Sequence, residues 1–182
     1  MLKTFLFFIF SCVGFSIFAQ EVTSPPQTRD EYEKNYQWRI QQTTLAGEYI
    51  PKDLFDAVKQ LNKLTDSTSR LKFKMLSENE AEHKLFFSLN RWIVLNWGLY
   101  EGSRLGAYLK EYKISFPEDQ ATAVIIAWHR TLNGKDINFK EISDRMVAKR
   151  KKEREEELKK AKIIEEKIIP SKPNSNTATT KN

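Results

Sequence analysis

Two histidines, His83 and His129, and the serine Ser103 are the residues of this 182-residue chain whose types come nearest to catalytic machinery. A serine becomes a nucleophile when a histidine takes its proton and a carboxylate orients that histidine. Ser103, with His129 as base and Glu101 or Asp119 as orienter, would make the chain a hydrolase. The local sequence speaks against it: Gly102-Ser103-Arg104-Leu105-Gly106 lacks the residue between glycine and serine that a nucleophile elbow requires. Glu80-x-x-His83 has the helical offset of carboxylate metal sites, but such sites take two of these motifs plus further glutamates, and here there is one. No phosphate-cradling glycine loop or dinucleotide fingerprint occurs. The expectation is a chain with no catalytic residue, no metal site and no cofactor.

The densest feature is the run Trp92-Ile93-Val94-Leu95-Asn96-Trp97-Gly98-Leu99-Tyr100-Glu101-Gly102-Ser103-Arg104-Leu105. Its structural reading is that Trp92 and Trp97 fill core, Gly98 and Gly102 turn the chain, and Ser103 caps the next helix. Its functional reading makes Asn96, Trp97, Tyr100, Glu101 and Arg104 a binding surface, with aromatic and guanidinium groups gathered on one turn for a partner peptide or small ligand. The same run resembles the core motif of an uncharacterised family of small exported bacterial helical domains, in which a helix ends in Asn-Trp-Gly-Leu-aromatic followed by Gly-Ser. The likeness extends from Tyr49 to Phe139. It takes in Ile50-Pro51-Lys52-Asp53-Leu54 and Trp128-His129-Arg130-Thr131-Leu132-Asn133-Gly134-Lys135. What the resemblance implies is a domain boundary and no activity.

The elements that must position this run read as helices. Apolar residues recur at helical spacing over Asp30–Thr43 and Lys52–Lys63, and Asp66 or Ser67 caps a short helix through Met75. Ser77 and Glu80 form a capping box, predicting one helix over Glu78–Asn96 with Leu85, Phe86, Leu89, Trp92, Ile93 and Trp97 as its buried stripe. Ser103 starts a helix through Tyr112. Ser115 and Glu118 offer a second box for the helix ending at Leu132, where Asn133-Gly134 closes it, and Asn138 with Glu141 caps another. No alternating strand pattern stands out. The fold class is therefore all-α: a compact multi-helix domain over residues 30–147, a charged helical extension over 148–169, and a disordered tail over 170–182.

The formal charge of +6 is unevenly spread. Residues 21–138 carry sixteen Lys/Arg against sixteen Asp/Glu, whereas residues 139–182 carry thirteen against eight. The basicity thus belongs to the extension, whose Lys–Glu pairs four apart support an isolated helix. Lys3, the apolar run Phe5–Phe18 and Ala19 read as a signal peptide over residues 1–19, with a flexible lead-in over 20–29. The apolar run is about 14 residues where a bilayer span takes roughly 20, so no stable transmembrane anchor is expected after processing. Cleavage would also remove Cys12, the only cysteine, and with it disulfide and thiolate chemistry. An exported, non-catalytic interaction module of the bacterial periplasm or cell envelope follows. Its partner would be another envelope protein or peptide and not nucleic acid, with weak contact to anionic surfaces through the C-terminal helix. The alternatives are a periplasmic hydrolase built on Ser103 and His129, or an immunity- or inhibitor-like partner protein.

Overall fold

The computed structural model describes residues 25–168. The expected signal peptide and the tail lie outside them, as do Gln20 to Ser24 of the lead-in.

Local capping chemistry sets most helix starts. Thr28 accepts from the Glu31 amide and begins α1 (Arg29–Arg39). Asp53 caps α2 (Leu54–Leu64), and Asp66 caps α3 (Ser67–Lys74). Ser77 and Glu80 satisfy each other's orphan groups at the head of α4 (Glu78–Lys84), as their spacing predicts. Ser103 caps α6 (Arg104–Glu111) through the Gly106 amide. Asn138 and Glu141 reciprocate at the start of α8 (Phe139–Ile168), which runs unbroken into the charged extension.

Three expectations are corrected. The first helix stops at Arg39, and the chain then folds a two-stranded hairpin, β1 (Thr44–Leu45) with β2 (Glu48–Tyr49), across Ala46 and Gly47, both at positive φ. Such left-handed pairs match the twist of a tight antiparallel hairpin. The helix expected over Glu78–Asn96 is interrupted by a π-helical turn, Phe86–Asn90, before α5 (Arg91–Asn96). That turn ends at Asn90, whose amide donates to Glu118 O at 2.8 Å and Thr122 Oγ1 at 3.0 Å. Asn90 lies three residues before the buried Ile93, so it shares the face of α5 that packs on α7. Finally, α7 (Pro117–Leu132) starts from Phe116, with no side-chain cap. The residue before a proline is extended, so Phe116 takes the cap position from Ser115, and Glu118 serves Tyr100 instead.

Among the described residues the fold is all-α apart from that hairpin. Helix α7 is the axis: all residues from Asp119 to Arg130 are buried, against α2, α3, α4, α5, α6 and α8. Leu54, Val58 and Leu61 of α2 share one core with it, together with Ile93 and Trp97. Phe73 stacks on Trp128 at 4.4 Å, and Trp128 Nε1 donates to Asn62 Oδ1. A second small cluster, Ile114, Ala123, Ile126, Ile142 and Met146, seats α8.

Arg130 fastens three helices at once. Its guanidinium forks onto Glu78 of α4 at 2.8 and 3.0 Å and onto Glu141 of α8 at 3.0 and 3.2 Å, and it also donates to Ile137 O. Only about a twelfth of the side chain, 8%, is exposed. Hydrogen bonds from Arg130 hold the carboxyls of Glu78 and Glu141 below the usual range. The Lys84 ammonium, with the Ser77 cap, takes Glu80 down to about 2. A carboxylate whose folded pKa is depressed contributes stability that is complete above its unfolded pKa, near 4.3 for glutamate, and is lost as pH falls through the folded value. Thermal stability should therefore be flat above about pH 5 and fall from there toward pH 2. Glu78→Gln should be less stable at pH 7 and fall less steeply in acid. By urea denaturation, Arg130→Ala should lose about 3–5 kcal/mol. Arg130→Lys should recover less than half of that, because an ammonium cannot serve two carboxylates in fork geometry.

Candidate functional site

The turn between α5 and α6 is built by backbone geometry before any side chain acts. Leu99 N–H donates to Val94 O and Gly98 N–H to Leu95 O, closing α5 in a Schellman motif with Gly98 at φ +61°. Gly102 follows at φ +92°. Both glycines also make room for α1. A Cβ on Gly102 would lie 2.3 Å from Tyr36 Cδ2, and one on Gly98 would lie 2.9 Å from Arg39 Nη2. Tyr36 is further held by the Lys110 ammonium, 4.6 Å above its ring. Arg39 Nε donates to Gly102 O at 3.0 Å, and Arg39 Nη2 meets Glu101 at 2.9 Å.

The five residues expected to form one binding surface divide among three places. Asn96, Tyr100 and Glu101 share the wall of a hollow of about 240 Å³ with Arg39, Leu45 and Leu95. Asn96 Nδ2 is turned back to Trp92 O at 2.8 Å, while Tyr100 stands outward and donates its hydroxyl to Glu118 at 2.8 Å. That bond to a carboxylate raises the phenol pKa, so Tyr100 stays a neutral donor. Trp97 is core, 1% exposed and edge-on to Trp92, and offers no surface. Arg104 faces elsewhere: its Nε donates to Ile50 O at 2.7 Å and its guanidinium lies over Tyr49, clamping the hairpin. Tyr49 in turn donates to Asp56.

A wider groove of about 600 Å³ adjoins this hollow, lined by Pro25, Pro26, Tyr32, Asn35 and Trp38, and by the same Arg39 and Glu101. The ion pair is thus the partition between two recesses. Trp38, Tyr100 and Leu95 stand exposed around it. Sequence reasoning missed Arg39 because its partners, Glu101 and Gly102, lie some sixty residues away, and it missed Trp38 beside it. The available signal was Trp38 itself, two residues past Tyr36 and so off the stripe formed by Tyr32, Tyr36 and Ile40.

The catalytic alternative does not assemble. Ser103 is fully buried and accepts from the Gly106 amide as a helix cap. Gly106 lies against Gln120, whereas His129 sits nine residues further along α7, about 13 Å at 1.5 Å per residue. There His129 Nε2 donates to Leu76 O at 2.8 Å, with its ring edge-on to Phe73. Among the described residues no group of three His, Cys, Asp or Glu could hold a metal ion. His83 Nδ1 instead meets Asn79 O, and Glu80 is engaged by Ser77 and Lys84.

Residues 50–132 match the model of a domain of unknown function (DUF6794), close to the stretch from Tyr49 to Phe139 over which the resemblance was read. No curated protein and no solved structure matches the chain. The matched stretch ends with α7, so α1 and α8 both flank it, and the Arg39 wall of the site comes from outside it.

The turn glycines give a direct test of how α1 is seated. Gly102→Ala combines left-handed strain with a collision on Tyr36 and should cost about 2–4 kcal/mol in urea denaturation, with faster tryptic cutting after Arg39. Gly134→Ala, at φ +66° with nothing within 4 Å, should cost only about 1–2 kcal/mol and leave α1 protected. Equal costs and equal protection would show that α1 does not depend on this contact.

Proposed function

We propose that the chain is an exported, non-catalytic interaction module of the bacterial periplasm or cell envelope. It takes a segment of a partner protein in the cleft between α1 and the turn at residues 96–102. The observation that carries this reading is the Arg39–Glu101 ion pair standing between two recesses with Trp38, Tyr100 and Leu95 exposed at their rims. Exposed aromatic anchors beside a concavity are where binding energy concentrates. The ion pair is half open to water, its side chains 21% and 73% exposed, and such pairs contribute about 0–1 kcal/mol, so a partner's own charges can displace it at little cost.

Export rests on Lys3, the apolar run Phe5–Phe18 and Ala19, the pattern that membrane translocation machinery reads. Among the described residues no helix is long and apolar enough to cross a membrane. Against a hydrolytic role stand Ser103 and His129, both buried, with the Ser103 hydroxyl engaged by the Gly106 amide and His129 Nε2 by Leu76 O. Nine residues of α7 separate His129 from Gln120, against which Gly106 lies.

The test is capture from an envelope extract by the tagged, processed protein, compared with Trp38→Ala combined with Tyr100→Ala. Both side chains are exposed, so folding should change by no more than about 0.5 kcal/mol per site while the enriched partner is lost. Identical capture by the variant, or an unprocessed chain found in the cytosol on fractionation, would contradict the reading.

A further inference from the structure

A third recess lies where α8 crosses the connection between α6 and α7. It is a hollow of about 260 Å³ whose lining includes Ile114, Met146 and Val147 as an apolar floor and Lys113, Lys151 and Arg154 at the rim. The α8 positions 146, 147, 150, 151 and 154 fall on one helical face, so the hollow's side wall is a continuous stripe.

The cations here differ in what they already do. Arg150 is committed: it forks onto the buried Asp119, meets Glu153 at 3.1 Å and covers the Phe116 ring at 4.1 Å. The side chains of Lys113, Lys151 and Arg154 make no hydrogen bond or ion pair among the described residues. Three cations without a hydrogen bond or ion pair thus surround an apolar floor, while the nearby carboxylate Asp119 is taken up by Arg150.

Lys113 carries the stronger indication. Helices α5, α6 and α7 all end in the same Schellman pattern, read in the bonds Leu99 to Val94, Ile114 to Leu109 and Lys135 to Arg130. In α5 and α7 the left-handed residue is glycine, Gly98 and Gly134. In α6 it is Lys113, at φ +66°. A lysine is strained there and a glycine is not. Strain retained at one of three equivalent positions, on a side chain that lines a recess, directs attention to what that side chain reaches.

We propose that this hollow docks an acidic peptide segment of a partner protein. The segment lays one apolar side chain on Ile114, Met146 and Val147 and sets flanking carboxylates against Lys113, Lys151 and Arg154. The volume favours a peptide over a free small molecule, because pockets that enclose whole ligands run roughly 300–1,000 Å³ and this one holds a fragment of something larger. A membrane surface fits less well, since an interfacial helix needs a broad apolar face and the large exposed apolar residues of α8 before residue 162 are Val147 and Leu158.

The test uses the processed full chain and a phage-displayed library of random peptides, with enriched sequences synthesised and titrated by fluorescence anisotropy. The proposal expects a consensus pairing Asp or Glu with a large apolar residue. Lys151→Glu combined with Arg154→Glu should weaken binding of that peptide by about tenfold or more. Lys113→Gly should weaken it several-fold while raising Tm by roughly 2–4 °C, a combination that a purely structural lysine would not produce. Trp38→Ala should leave the titration unchanged, which separates this site from the cleft beside α1. The proposal is overturned by failure to enrich acidic–apolar peptides or by binding that Trp38→Ala abolishes instead. Equal binding of an acidic peptide without its apolar residue, or phosphatidylglycerol vesicles competing better than the peptide, would also overturn it.

Discussion

Helix α7 is buried on every face from Asp119 to Arg130, and that constraint organises the rest of the molecule. A helix with no solvent side cannot be amphipathic in the ordinary sense, and it must meet a neighbour in each direction. Its sequence answers with small residues, Ala121, Ala123 and Ala127, which let surrounding helices approach, and with Val124, Ile125 and Ile126, which fill the space between them. Burial of this kind also isolates each polar side chain from water. An unpaired buried polar group costs about 1–3 kcal/mol, and six residues of α7 meet that cost with a bond to another element, although Gln120 Oε1 and His129 Nδ1 stay without a partner.

Those polar groups work as pins. Asp119 fixes α8 through Arg150; Gln120 Nε2 fixes the end of α6 by donating to Gly106 O and Ile114 O. Thr122 receives Asn90 from the π-helical turn, Trp128 reaches Asn62 of α2, and His129 reaches Leu76 beyond α3. Arg130 completes the set by joining α4 and α8. Apolar packing alone permits sliding and rotation of helices against one another. Six directional side-chain contacts along one axis remove that freedom and leave a rigid frame. Helix α1 is the contrast: it has no buried residue and is seated by Tyr36 on Gly102 and by Arg39. The candidate cleft thus has one wall on the rigid frame and one on an element held by few contacts. Binding surfaces are commonly drawn from such low-stability elements.

Much of this was legible residue by residue where the cause is local. Caps at Ser77, Ser103, Asp66 and Asn138 depend on groups within three residues of one another, and the spacing alone shows them. What was not legible depends on distant partners. The π-helical turn ends at Asn90, whose amide bonds to α7 twenty-eight residues away at Glu118, and no window along the chain contains that contact. Ser115 and Glu118 have correct capping spacing, yet Pro117 moves the start by one residue and Tyr100 claims the glutamate. In the candidate site, Asn96, Tyr100 and Glu101 come together as their proximity in sequence suggests. Trp97 lies four residues after Ile93 on the buried face of α5, and Arg104, beyond Gly102, bonds to Ile50 O and clamps the hairpin. Arg39, which completes the site, belongs to a helix that no local pattern ties to the turn.

A single measurement reaches this arrangement most directly: native-state hydrogen exchange followed amide by amide across increasing denaturant. If α7 is the frame, the amides from Ala123 to Arg130 should exchange only through global unfolding, with opening energies equal to the whole protein's stability, while those of α1 should open at much lower energy and with little denaturant dependence. Protection of α1 equal to that of α7, or exchange of α7 ahead of the helices around it, would contradict the account.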